Sequence, residues 1–167
     1  PRCHGSYLPI DRDFGPVYCD SKVIQPDASL KVRNHSPDGF SWGYFGSGPS
    51  QLALGLLLHH TGHNEALSVR FYQEFKMEVV ATWPQEGRWE ITTEQIDEWL
   101  NAKIEGLGLV DVEVEGPLIQ EVIEYMQHVP MITYWRTRVK EGSLDTVIFQ
   151  VEPSYVGQIE EIKSEST

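Results

Sequence analysis

The sequence predicts an α+β protein: an N-terminal antiparallel β-meander packed on a three-helix cluster with a central buried helix, then a C-terminal β-α-β-β extension. Three observations lead there. Short apolar pieces near the N-terminus are separated by turn clusters such as Asp11-Arg12-Asp13-Phe14-Gly15-Pro16. The stretch GFSWGYFGSGPSQLALGLLLHH, residues 39–60, puts leucine on every side of one helix, and a helix apolar all round is a buried one. Beyond Gly106 and Gly108, Val110, Val112 and Val114 alternate with Asp111, Glu113 and Glu115, the period of a half-exposed strand. Those two glycines mark a division into residues 1–105, meander plus helical core, and residues 106–167, an acidic extension.

Taken in order, His4–Ile10 and Pro16–Asp20 read as strands, and Val23-Ile24 precedes a turn at Gln25-Pro26-Asp27. Leu30-Lys31-Val32-Arg33 alternates apolar and basic and predicts a further strand. Ser36-Pro37-Asp38-Gly39 is a turn, with Pro presetting φ at its second position. Phe40, Trp42 and Tyr44 recur at period two, predicting a strand with one aromatic face. Pro49 suits the first turn of the following helix, Gly55 asks for a close crossing element, and Gly62 ends the helix. Asn64 caps a second helix striped by Leu67, Phe71, Phe75 and Val79. After Trp83-Pro84 and a short strand at Trp89-Glu90-Ile91, Thr92 and Gln95 have capping-box spacing for a third helix, with Ile96, Trp99 and Leu100 inward. In the extension, Gly116-Pro117 opens a helix with Leu118, Ile119, Val122, Ile123 and Met126. Met131–Val139 and Leu144–Val151 form a hairpin about Lys140-Glu141-Gly142-Ser143; Tyr155-Val156 adds a short piece, and the polar end frays from Lys163.

The chain has 167 residues and a net charge of −12 from 25 acidic and 13 basic residues. Residues 106–167 hold 11 acids and 4 bases, net −7. That balance opposes binding to a phosphate backbone, which uses Lys and Arg, and it suits a partner with a basic surface. No run of 18 apolar residues and no charged-then-apolar leader pattern is present. The expectation is a cytoplasmic protein with no membrane partner, in which Cys3 and Cys19 are reduced thiols, although neighbouring N-terminal strands would permit a disulfide in an oxidising compartment.

Two groups of residues are candidate sites. A strand, a glycine-rich loop and a helix N-terminus present free N–H groups to an anion. Ser47 and Gly48 at that turn, with His35 as an acid or base and Asp38 beside it, form a candidate ligand or nucleotide site. The spacing of Gly43, Gly46 and Gly48 is the reverse of a dinucleotide fingerprint, no Lys follows, and Ser47 lacks the glycine at 45 that a nucleophile elbow needs. The plainer role of these glycines is to let the chain turn into the helix. Asp111, Glu113 and Glu115 form the other candidate, a row of carboxylates about 6.6–6.8 Å apart that would meet a basic protein; the plainer role is a charged strand edge that resists pairing. His59, His60 and His63 read HHxxH, but Gly62 interrupts the helix and no HExxH glutamate is present, so no metal and no cofactor is expected.

The runs RNHSPDGFSWGYFGSGPSQLALGLLLHH, FYQEFKMEVVATWP and WEITTEQIDEWL resemble an uncharacterised domain family of bacteria, archaea, phages and mobile elements. Its core pattern is HSPxGFxWGYxGSGPxQLALxLL, and the resemblance covers residues 4–101. Phe45 stands where that family usually has glycine, which makes the loop bulkier. The resemblance implies a fold and a phage or mobile-element setting, and carries over no activity. Charge and family together lead to the expectation of a non-catalytic acidic interaction protein that binds a basic partner and inhibits a nucleic-acid-handling defence complex. A small-ligand or nucleotide-binding protein that uses the glycine-rich turn is the alternative.

Overall fold

Strand β1 (Arg2–Leu8) is one of the two inner strands of the first sheet. It pairs antiparallel with β2 (Asp13–Cys19) on one side and with β4 (Arg88–Thr92) on the other, and β3 (Lys22–Ile24) completes the order β3-β2-β1-β4. The computed structural model describes residues 1–129 and 134–165. They fall into two compact units, Pro1–Leu100 and Asn101–Thr167. With helices and antiparallel sheets segregated in both, the fold is α+β.

Helix α1 (Asp27–Val32) replaces the strand expected at Leu30–Arg33. Pro26 and Asp27 are good helix-start residues, and Ser29 Oγ donates back to Pro26 O at 2.7 Å; four residues of alternation are too few to compete. The aromatic strand expected at residues 40–44 is absent as well, because Gly39 (φ +119°) and Gly43 (φ +82°) turn the chain out of an extended path. The aromatic residues of this irregular segment go to different neighbours. Trp42 is fully buried, edge-on to Phe14 at 4.8 Å and to Trp89 at 5.7 Å. The Phe40 ring lies over α2 (Ser47–His60) at Gly55, where a Cβ would come within 2.9 Å of it. This is the close crossing that glycine in a helix interior called for.

Helix α2 is buried around its whole circumference: Leu52, Leu54, Leu56 and Leu57 have no exposed surface. It begins two residues before Pro49 and ends in a Schellman turn, with His63 N donating to Leu58 O at 2.7 Å and Gly62 at φ +65°. Helix α3 (Glu65–Glu78) is capped by Asn64 Oδ1, which accepts from Leu67 N at 3.1 Å. Thr92 and Gln95 make the reciprocal capping box of α4 (Thr93–Gly106) at 2.9 and 3.2 Å. Phe71 and Phe75 of α3 meet Trp99 of α4 edge-on.

The second unit holds an antiparallel sheet in the order β5-β7-β6, formed by β5 (Val110–Glu115), β6 (Trp135–Val139) and β7 (Thr146–Val151). Helix α5 (Leu118–His128) covers its apolar face together with α6 (Val156–Glu165). Val112, Val114, Val122, Met126, Phe149, Val151 and Ile159 form the core. The short piece and fraying end expected near the C-terminus are thus a helix as far as Glu165, because Ile159 finds a fully buried place on the sheet. The expected start of the hairpin at Met131 lies outside the described residues.

Candidate functional site

His35, Asp38, Ser47 and Gly48 lie on one irregular segment and the helix it enters. No hydrogen bond or ion pair joins His35 or Asp38 to Ser47 or Gly48 among the described residues. Asp38 and Ser47 are exposed. Gly48 is buried, and a Cβ there would collide with the Ser41 hydroxyl, which itself bonds the Tyr44 hydroxyl at 2.8 Å. Close packing is therefore sufficient reason for glycine at this position.

The same segment is held by a residue the sequence did not single out. Gln51, in the first half of α2, is wholly buried. Its Oε1 accepts from the backbone N–H groups of His35 and Ser36 at 2.8 and 3.1 Å. Its Nε2 donates to Ser29 Oγ at 2.8 Å and to Arg33 O at 3.1 Å. One amide thus satisfies four partners on α1 and the turn after it. Only the tertiary fold shows this, because a glutamine between leucines has no periodicity of its own.

His35 Nε2 lies 2.6 Å from the Tyr72 hydroxyl. Burial above all, then the charges of Lys76 and Arg33, hold the imidazole below its ordinary 6.5. A neutral ring with its proton on Nδ1 accepts from Tyr72. The unfolded chain takes up a proton near pH 6.5 that the folded chain refuses until lower pH. His35 therefore contributes stability that is complete above that range and is lost as pH falls through it. His35→Gln is expected to flatten the decline of the urea midpoint between about pH 7 and pH 5; an unchanged slope would show that His35 plays no part in it.

Asp111, Glu113 and Glu115 do share the outward face of β5, opposite the core-facing valines. They are not a bare acidic row. Across β7, strand β6 presents Arg136 and Arg138 on the same face, with Lys140 just past its end. Arg138 reaches Asp111 at 3.0 Å, Lys140 reaches Glu113 at 3.0 Å, and Gln150 Nε2 donates to Asp111 Oδ1 at 2.9 Å. The Gln150 hydrogen bond, then Arg138, lowers the Asp111 carboxyl below its ordinary value. Glu115 has no such partner among the described residues. The pairing follows from strand order, since β5 and β6 are distant in sequence and meet only through β7.

The HHxxH histidines each face a different carboxylate: His59 with Asp20 at 3.5 Å, His60 with Asp97 at 2.6 Å, His63 with Glu65 at 3.2 Å. The expectation of reduced thiols is corrected here: Cys3 and Cys19 form a disulfide. The β1–β2 register sets them directly opposite, with their Cα atoms 4.1 Å apart, a pairing their spacing in sequence does not reveal. His59 brings a ring nitrogen to within 4.8 Å of both sulfurs. Two cavities, of about 440 and 230 Å³, both reach His59. Chemistry-bearing side chains are thus gathered at this corner, away from the glycine-rich turn.

Residues 12–102 match the DUF6166 family, a family of unknown function. The match spans more than half of the chain, which therefore belongs to that family. No curated protein and no solved structure matches it.

Proposed function

We propose that the protein is a non-catalytic acidic interaction protein that binds a partner with a basic surface through its second unit. The observation that supports this reading is how charge is distributed there. The bases Arg138, Lys140 and Lys163 are engaged with acids, and Arg136 with Gln150. Glu115, Glu121, Glu141, Glu161 and Glu165 have no partner among the described residues. The binding charge is accordingly assigned to Glu115 and the helical carboxylates, with Asp111 and Glu113 as supporting members already screened by their pairs. In keeping with the family resemblance, the chain acts as a phage or mobile-element product in the host cytoplasm and antagonises a nucleic-acid-handling defence complex. No helix among the described residues is long and apolar enough to cross a membrane.

Affinity capture from the host, followed by titration with the purified partner, tests this. Affinity is expected to fall steeply with salt, since exposed charges are screened over about 10 Å at 0.1 M. Glu115→Lys, Glu121→Lys and Glu161→Lys together are expected to weaken binding at least ~10-fold, equivalent to about 1.4 kcal/mol. Binding that ignores both salt and the three reversals would refute the reading. The alternative, a small ligand at Ser47 and Gly48 with His35, draws support only from the helix N-terminus there. It predicts a thermal shift with nucleotides or phosphate that Ser47→Pro removes.

A further inference from the structure

We propose that Cys3, Cys19 and His59 form a zinc-binding site when the disulfide is reduced, so that the first unit carries a redox-gated metal site. Two thiolates and an imidazole are a zinc donor set. The three ligand atoms already lie within 4.8 Å of one another. In tetrahedral zinc, two thiolate sulfurs sit about 3.8 Å apart, given Zn–S bonds of about 2.3 Å. Opposed cysteines on paired strands reach that separation by side-chain rotation alone, and the backbone of β1 and β2 stays in register.

The surroundings of His59 fit a ligand's second shell. A metal-bound histidine ordinarily gives its other N–H to a carboxylate, which fixes the ring. Asp20 Oδ2 is 3.5 Å from His59 Nε2, so that with Nδ1 on the metal the Nε2–H would be offered to this carboxylate. Asp20 is itself held firmly. It and Ser21 form the two-residue turn between β2 and β3, with φ of +51° and +67°, as a tight hairpin requires. Asp20 N donates to Arg2 O at 2.9 Å, and Arg2 N donates to Asp20 Oδ1 at 3.1 Å. His60 is occupied by Asp97 and does not compete. The cysteines are buried, whereas the His59 side chain is 37% exposed and lines the 230 Å³ cavity together with Cys3. That cavity gives the metal a way in and leaves the fourth position to water.

The chemistry balances. A dithiol reductant supplies two electrons and two protons; the Cys3–Cys19 bond breaks, two thiols form, and the reductant closes to its own disulfide. Zinc entry then displaces the two thiol protons to solvent. A disulfide-forming oxidant runs both steps backwards and expels the metal. Within a reducing cytoplasm the metal-binding form prevails, and in an oxidising compartment the disulfide does.

Cobalt(II) is the probe, because tetrahedral thiolate ligation gives it visible absorption bands. The full chain is reduced with a phosphine, desalted without oxygen and titrated with cobalt(II), then with zinc. The expected result is one equivalent of cobalt bound with thiolate bands, displaced by one equivalent of zinc, and no bands from the oxidised chain. His59→Asn is expected to weaken binding at least ~10-fold with an unchanged far-ultraviolet dichroism spectrum, since this side chain is partly exposed. Cys3→Ser with Cys19→Ser is expected to abolish the bands. The proposal is overturned if the reduced chain gives no thiolate bands, if the oxidised chain binds equally, or if His59→Asn binds as tightly as the unaltered chain.

Discussion

Replacing Gln51 with leucine is expected to destabilise the first unit by on the order of 3–5 kcal/mol, although leucine is similar in size and more apolar. The reason is the polar groups the amide leaves behind. The N–H groups of His35 and Ser36, the Ser29 hydroxyl and the Arg33 carbonyl all bond to this one side chain. Each buried group left unsatisfied costs about 1–3 kcal/mol, partly relieved where water can reach the half-buried turn. Apolar gain cannot offset this, because the Gln51 stem is already fully buried. Urea unfolding followed by tryptophan fluorescence reads the effect, since Trp42, Trp83, Trp89 and Trp99 all lie in this unit. A neutral or stabilising leucine would mean that the turn does not depend on the amide. The His35–Tyr72 contact is expected to loosen in the same variant, because Gln51 anchors the backbone that positions His35.

Trp42→Ala is the second large effect, with an expected loss of about 3–5 kcal/mol from the cavity left by a fully buried indole. Trp42 sits where β2 and β4 both reach it, through Phe14 and Trp89, and Trp89 in turn stacks on Trp83 at 4.1 Å. Its removal therefore exposes an aromatic chain rather than one contact. Trp42→Phe is expected to recover a good part of the loss, since a smaller ring leaves a smaller void. Equal midpoints for the alanine variant and the unaltered chain would show that the irregular segment is not part of the core.

These two residues also show how far the sequence could be read. Trp42 is legible as aromatic and important, but its strand-like spacing misleads. Alternation predicts a face, whereas two glycines at positive φ send Phe40 to α2 and Trp42 to the sheet. Gln51 is not legible at all, because its worth lies in four partners on other segments. Among the candidate sites, the β5 carboxylates share one face as their period requires, yet the Arg138 and Lys140 that pair with them arrive by strand order. His59 is visible as part of a histidine cluster. Its real neighbours, Cys3, Cys19 and Asp20, come from β1, β2 and the turn after β2, some forty residues or more away in sequence.

By itself the sequence determined the α+β class, the buried circumference of α2, the caps at Asn64 and Thr92, the glycine turn that ends α2 and the alternation of β5. Each of these depends on residues within a few positions of one another, where side-chain period and backbone preference act directly. The tertiary structure alone decided the Cys3–Cys19 pairing, the charge ladder over β7, the folding of residues 156–165 as a helix and the gathering of thiols and imidazole at one corner. Those outcomes depend on strand register and on which surfaces meet, and a shift of one residue in register would turn every side chain of a strand to the opposite face.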